Sequence, residues 1–207
     1  MHFLNHIKFL FMTAFLLLSS SIYANSILVM GDSLSAAYNL KLDQGWVSLL
    51  ENTADFQDTN YAIINASVSG ETSQGGVARL NKLLTTHQPT IVILELGSND
   101  GLRGYPLNKT KANLETMIQQ SINHGASVLL IGNRMPPNYG KRYTEQFFTL
   151  YQALAEQFNI ESYLPFMLDN VALNDDLMLE DGLHPNPEGQ KQVLQNIMPF
   201  LMPMLSK

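Results

Sequence analysis

Several stretches of this chain are apolar without alternation and then stop abruptly on glycine and small polar residues. Ile27-Leu28-Val29-Met30 runs into Gly31-Asp32-Ser33-Leu34-Ser35. Ile91-Val92-Ile93-Leu94-Glu95-Leu96 runs into Gly97-Ser98-Asn99-Asp100-Gly101, and Val128-Leu129-Leu130-Ile131 into Gly132. A strand with one wet face alternates apolar and polar residues, so a continuous run needs cover on both faces. Between these runs lie stretches at helical spacing. They carry Trp46, Leu49 and Leu50; Val77, Leu80, Leu83 and Leu84; Leu114, Met117, Ile118 and Ile122; Phe147, Leu150, Tyr151, Leu154 and Phe158; and Val193, Leu194, Ile197 and Met198. Alternation of buried strands with helices predicts an α/β fold, a parallel sheet with helices on both faces. Right-handed crossovers then place every strand exit at one edge of the sheet.

Boundary signals fill in the order. Asp43 is expected to cap the first helix, and Tyr61-Ala62-Ile63-Ile64-Asn65 reads as the second strand. Thr72 or Ser73 starts the next helix. Residues 109–123 and 143–158 read as helices, and residues 159–166 as a last short strand with its exit. Residues 167–180 carry no clear pattern. Asn186 caps a final helix with Pro187 at its first position. No repeat, linker or second domain interrupts residues 25–207.

Residues 1–24 stand apart. Lys8 opens a weakly basic start, residues 9–18 are apolar apart from Thr13, and Ser19-Ser20-Ser21-Ile22-Tyr23-Ala24 ends on a small residue. This is the layout of a secretory signal peptide cleaved near Ala24, with an apolar stretch short for a membrane span. The expectation is export, to the periplasm or beyond. No other stretch reads as a membrane segment. Cleavage removes one lysine and no acid, taking the net charge from −6 to −7. An acidic chain without a basic stripe argues against nucleic acid as a partner. The absence of cysteine excludes disulfides, thiolate metal sites and a cysteine nucleophile.

The strand exits carry the chemistry. Ser33, at the end of a buried strand, stands where open α/β sheets bind ligands and is the candidate nucleophile. Its hydroxyl needs a base. Beyond residue 24 the histidines are His87, His124 and His184. The first two close predicted helices, where an imidazole suits the helix C-terminus. His184 follows Asp181 by three residues with Gly182 between, so a carboxylate can face one ring nitrogen and leave the other for Ser33. The same segment also reads as a surface turn before the last helix. Oxyanion donors are available in the Ser33 amide, the Gly70 amide and the Asn99 side chain, although Gly70 and Asn99 also suit plain turns. Asp32 is read as bracing its loop, because its side chain leaves the strand end opposite to Ser33. The glycine-flanked Leu102, beside Asn99, is a candidate for contact with an acyl chain.

Taken together, Gly31-Asp32-Ser33-Leu34, the block holding Gly70, Gly97-Ser98-Asn99-Asp100 and Asp181-Gly182-Leu183-His184-Pro185 resemble the four blocks of the SGNH (GDSL-type) hydrolases, in order along nearly the whole chain after residue 24. Asn65-Ala66-Ser67-Val68-Ser69-Gly70-Glu71-Thr72-Ser73, Leu94-Glu95-Leu96-Gly97, Asn99-Asp100-Gly101-Leu102-Arg103-Gly104 and Pro137-Asn138-Tyr139-Gly140 look like the subgroup of periplasmic acyl-CoA thioesterases I, lysophospholipases and arylesterases. That subgroup has Gly-Gly-Asn-Asp in the third block, where this chain has Ser98. The resemblance implies a three-layer α/β/α sandwich with a flavodoxin-like parallel sheet of about five strands. It implies a Ser33–His184–Asp181 triad and an oxyanion hole of Ser33, Gly70 and Asn99, with Leu102 and Tyr139 near the substrate. It implies no metal and no cofactor, and small-molecule acyl ester or thioester substrates: acyl-CoA, lysophospholipids and aryl esters. Apart from the resemblance, a monomer is expected. Two rivals are a carbohydrate O-deacetylase with the same triad and a flavodoxin-like binding module without turnover.

Overall fold

The computed structural model describes residues 25–205; the proposed signal segment lies outside the described residues. Five parallel strands form one sheet: β1 (Asn25–Gly31), β2 (Tyr61–Asn65), β3 (Ile91–Glu95), β4 (Ser127–Ile131) and β5 (Ser162–Leu164), in the order β2-β1-β3-β4-β5. The order reverses direction between β1 and β3, and the crevice beyond that point is where doubly wound sheets bind ligands. Register puts Gly31 opposite Glu95 at the exits of these two strands.

Successive side chains on a strand point to opposite faces, which splits each apolar run between two cores. Ile27, Val29, Ile91, Ile93, Leu129 and Ile131 face one layer, made by α1 (Trp46–Glu51), α2 (Ala54–Gln57) and α7 (Pro187–Leu205). Leu28, Met30, Val92, Leu94, Val128 and Leu130 face the other, made by α3 (Ser73–His87), α5 (Leu107–Asn123) and α6 (Lys141–Gln157). The expected three-layer sandwich is therefore what the apolar runs build.

Several boundaries differ from expectation. Asp43 caps no helix: it lies in a 3₁₀ turn (Leu42–Gln44), and the Trp46 amide donates instead to Gln190 Oε1 at 2.9 Å, from α7. The exit of β3 is not a plain turn but one helical turn, α4 (Ser98–Leu102). α5 begins two residues earlier than the sequence pattern suggests, because Pro106 cannot continue a helix backward but suits its start. Ile122, read as part of the buried stripe, is 41% exposed, because Ser121 takes the inward position and bonds back to the Met117 carbonyl. The last strand is only three residues long.

Gly97 shows why the β3 exit needs glycine. Its φ is +116°, a conformation side chains rarely adopt, and a Cβ there would collide with the Tyr151 hydroxyl. That hydroxyl donates to the Leu96 carbonyl at 3.0 Å, so the tight exit is pinned from α6.

Candidate active site

Ser33, Asn99 and His184 meet at the β1/β3 crevice. The β1 exit turns on its own backbone, with Ser35 and Ala36 amides donating to the Asp32 carbonyl. This lifts Ser33 to a half-buried position in the crevice. His184 Nε2 lies 2.8 Å from Ser33 Oγ, and His184 Nδ1 lies 2.7 Å from Asp181 Oδ2.

The segment that sequence patterning leaves open is what delivers His184. Residues 167–173 form a chain of turns, and residues 178–185 close a small loop. Met178 pairs with Pro185 in an isolated antiparallel bridge, and the Leu179 amide donates to the His184 carbonyl at 2.7 Å. Asn186 does more than cap α7. Its side chain accepts from Glu188 and Gly189 amides, and its amide group donates to the Asp176 and Met178 carbonyls. Asp181 Oδ1 takes the Leu183 and His184 amides at 2.9 and 3.0 Å. Burial works against ionisation of Asp181, but these two amides and the His184 ring outweigh it and hold the carboxyl below the usual carboxylate range. The Tyr38 ring packs on the imidazole with centroids 4.4 Å apart. Tyr38 sits between two residues with left-handed backbones, Ala37 (φ 54°) and Asn39 (φ 56°).

Asp32 braces its loop, as read from sequence, and also reaches further. It is fully buried; Oδ1 accepts from the Leu34 amide at 3.1 Å and Oδ2 from Asn99 Nδ2 at 3.1 Å. The carboxylate thus aims the Asn99 side chain. Burial raises the Asp32 carboxyl to about 6, against hydrogen bonds from Leu34, Ser98 and Asn99 and the charge of His184. Ser98, which replaces the subgroup's second glycine, is buried and accepts a hydrogen bond from Asn133 Nδ2. Its hydroxyl therefore links Asp32 to Asn133 on the next strand exit.

Gly70 sits in an exposed turn with φ +78°. Its loop is tied to the site from two sides. The Val68 amide donates to the Gly31 carbonyl at 3.1 Å, and Arg103 Nη2 donates to the Gly70 carbonyl at 3.0 Å. Asp100, buried behind Asn99, accepts from the Ser73 amide at 2.8 Å at the start of α3.

A cavity of about 500 Å³ opens over Ser33. Ser33, Asn99, Leu102 and His184 line it; Gly70, Tyr139 and Asp181 are not among its lining residues. Tyr139 instead donates its hydroxyl to the Leu102 carbonyl at 3.0 Å, so it supports Leu102 from behind. Sequence reading missed the apolar arm of the cavity, formed by Met135, Pro136, Phe166, Leu168, Ala172 and Leu173. Most of these lie in irregular turns, where no periodicity marks them. Among the described residues, no group of three or more His, Asp or Glu side chains is placed to hold a metal ion.

A serine held by a His–Asp pair at the switch point of a doubly wound sheet defines the serine hydrolase class of site. Residues 29–192 match the GDSL-like lipase/acylhydrolase family, and the chain belongs to it. It is similar to the esterase TesA of Pseudomonas aeruginosa, 44% identical over 192 residues that cover 93% of this chain and 95% of that protein. It is also similar to thioesterase 1/protease 1/lysophospholipase L1 of Escherichia coli, 39% identical over 201 residues, 97% of this chain and 94% of that protein. Among solved structures, the psychrotrophic esterase EstA of a Pseudoalteromonas species, inhibited by monoethylphosphonate, superposes with a TM-score of 0.83. It is 39% identical over 88% of this chain and all of that one.

Proposed function

We propose that this serine hydrolase cleaves acyl esters and thioesters through an acyl-serine intermediate, with Ser33, His184 and Asp181 as the triad. The observation that carries this reading is the unbroken relay from Asp181 Oδ2 through both imidazole nitrogens to Ser33 Oγ. His184 Nε2 takes the Ser33 proton as Oγ bonds to the substrate carbonyl carbon. The oxyanion that forms is held by the Ser33 and Gly70 amides and by the Asn99 side chain, which Asp32 orients. As the tetrahedral intermediate collapses, the carbon–oxygen or carbon–sulfur bond breaks and the leaving alcohol or thiol receives the proton from His184. Water then repeats the sequence on the acyl-serine, with His184 again as base. Asp181, held as a carboxylate by its amide donors, stabilises the imidazolium.

The substrates are single acyl chains on small alcohols, thiols or phenols, with the apolar arm of the cavity receiving the chain. Acyl-CoA, lysophospholipids and aryl esters all fit that description, and the names of the relatives support it. All of the site residues come from one chain, which is consistent with a monomer as the working unit. The 1–24 layout supports export to the periplasm after cleavage near Ala24; amino-terminal sequencing of the protein from a periplasmic fraction tests it.

The decisive experiment is Ser33→Ala. The variant is expected to keep its fold by circular dichroism and to lose hydrolysis of a short aryl ester by at least about 10³-fold. A serine-reactive phosphonate is expected to label Ser33 in the parent protein and nothing in the variant. Parent-level turnover in Ser33→Ala refutes the assignment.

A further inference from the structure

The relay above does not use the carboxyl group directly beneath it. Glu95 ends β3 and is 1% exposed. Its Oε2 accepts from the Asp32 amide at 3.3 Å and from the Ser35 hydroxyl at 2.8 Å. The Ser35 oxygen accepts in turn from the Trp46 indole at 3.2 Å, and the Ser35 carbonyl accepts from Asn65 Nδ2 at 2.9 Å. The carboxyl also fills the space a side chain at residue 31 would need: a Cβ on Gly31 would stand 2.7 Å from Oε2 and 2.8 Å from the Ser35 side chain. The φ of Gly31 is not in the left-handed region, so this close approach is what requires the glycine.

We propose that Glu95 is the positioning residue of the nucleophile turn, gripping the backbone amide before Ser33 and the hydroxyl two residues after it, and so fixing where Ser33 Oγ meets His184. The proposal rests on the reading of Ser33 as nucleophile. Two anchors on either side of residue 33, both held by one rigid strand, leave the turn little freedom to rotate. Glu95 forms no ion pair among the described residues. The titratable groups that face it are Asp32, from the β1 exit, and Tyr151, from α6. Burial and the charge of Asp32 together push the Glu95 carboxyl well above the usual carboxylate range. Two buried carboxyls side by side thus divide the work. Asp32 aims Asn99, whereas Glu95, whose ionisation burial and the Asp32 charge both disfavour, holds the turn without favouring a second negative charge under the developing oxyanion.

The test compares Glu95→Ala and Glu95→Gln with the parent, using a short aryl ester. Glu95→Ala is expected to lower kcat at least tenfold with KM within about twofold, because the turn loosens while the cavity remains. Glu95→Gln keeps the shape and the acceptor and recovers most of that loss at pH 7. Because the Glu95 carboxyl is raised, parent kcat is expected to fall as pH is increased into the alkaline range, and the Gln variant is expected not to follow. If Glu95→Ala does not fold, the Gln variant's alkaline profile decides alone. A second readout needs no turnover: ¹³C NMR of the Glu95 side-chain carboxyl in the parent shows the protonated form at pH 7. An ionised carboxyl at pH 7, a kcat for Glu95→Ala within twofold of the parent, or identical alkaline limbs in parent and Gln variant overturns the proposal. A parent that shows the protonated carboxyl but hydrolyses no ester refutes the reading of Ser33 and leaves the grip of Glu95 on the turn supported.

Discussion

Asp32→Asn separates the cost of a buried charge from its use. The carboxyl is fully buried and sits at about 6 instead of 3.8. A carboxyl raised on folding binds more protons in the folded than in the unfolded state between those two values. Stability is therefore lost as pH rises through the window and the full penalty is present above about pH 6. The shift corresponds to about 3 kcal/mol, order of magnitude, at pH 8 and to a small fraction of that at pH 4. At pH 4 the parent side chain carries a proton and resembles the amide that replaces it. Asp32→Asn is thus expected to gain about 2 kcal/mol on the parent between pH 4 and pH 8, measured as the change in their stability difference by urea unfolding. Any constant offset from altered hydrogen bonds cancels in that comparison. Function moves the other way. The carboxylate serves the Leu34 amide with Oδ1 and Asn99 Nδ2 with Oδ2, besides the Ser98 hydroxyl, and an amide has one acceptor oxygen. If Asn99 loses its aim, an oxyanion donor worth about 2.7–4 kcal/mol is lost, up to about 10²–10³-fold in kcat. The expected result is a variant more stable at pH 8 with kcat reduced at least tenfold. Parallel stability curves from pH 4 to pH 8 refute the buried-charge argument, and an unchanged kcat refutes the role given to Asp32 in aiming Asn99.

Two further perturbations test the surroundings of the site. Gly97→Ala forces a side chain into φ +116° and against the Tyr151 hydroxyl, and is expected to cost about 3 kcal/mol by urea unfolding; a loss below about 1 kcal/mol contradicts the requirement for glycine. Tyr38→Leu removes the ring packed on His184 and is expected to reduce kcat/KM by about three- to tenfold, with Tyr38→Phe retaining the parent value. Equal losses in the two Tyr38 variants place the effect on the phenol hydroxyl and contradict the ring-packing argument.

The sheet was legible because burial on both faces leaves its signature in the central strands: residues 27–30 and 91–94 are apolar without a break. The three exit loops were legible for a related reason. They are the only places in each unit where small polar residues follow a buried strand, and topology alone gathers them at one edge. What eluded sequence reading is held by tertiary contacts that carry no period. Residues 167–173 are a run of turns whose Met167 and Val171 face the core while Leu173 stays exposed, so their apolar residues follow neither spacing. The Met178–Pro185 bridge is a single pairing, too short to leave an alternating pattern. The cap of α1 comes from Gln190, 144 residues away, and defeats any local rule that favours Asp43.

Asp32 and Glu95 show how far a four-residue motif depends on its neighbour in the sheet. Gly31-Asp32-Ser33-Leu34 reads locally as a turn with a serine on it. Parallel register places Gly31 opposite Glu95, and the missing Cβ admits the Glu95 carboxyl beneath the turn. Asp32, one residue on, turns away from Ser33 toward Asn99 at the exit of the same neighbouring strand. The glycine and the aspartate are thus determined by β3, not by the turn they spell. Ser33 is the residue of the motif whose hydroxyl meets His184 at the cavity. A substitution at Glu95 or Asn99 is therefore expected to disturb Ser33 as directly as one within its own block, because the crossover between β1 and β3 has made the two exits a single structural unit.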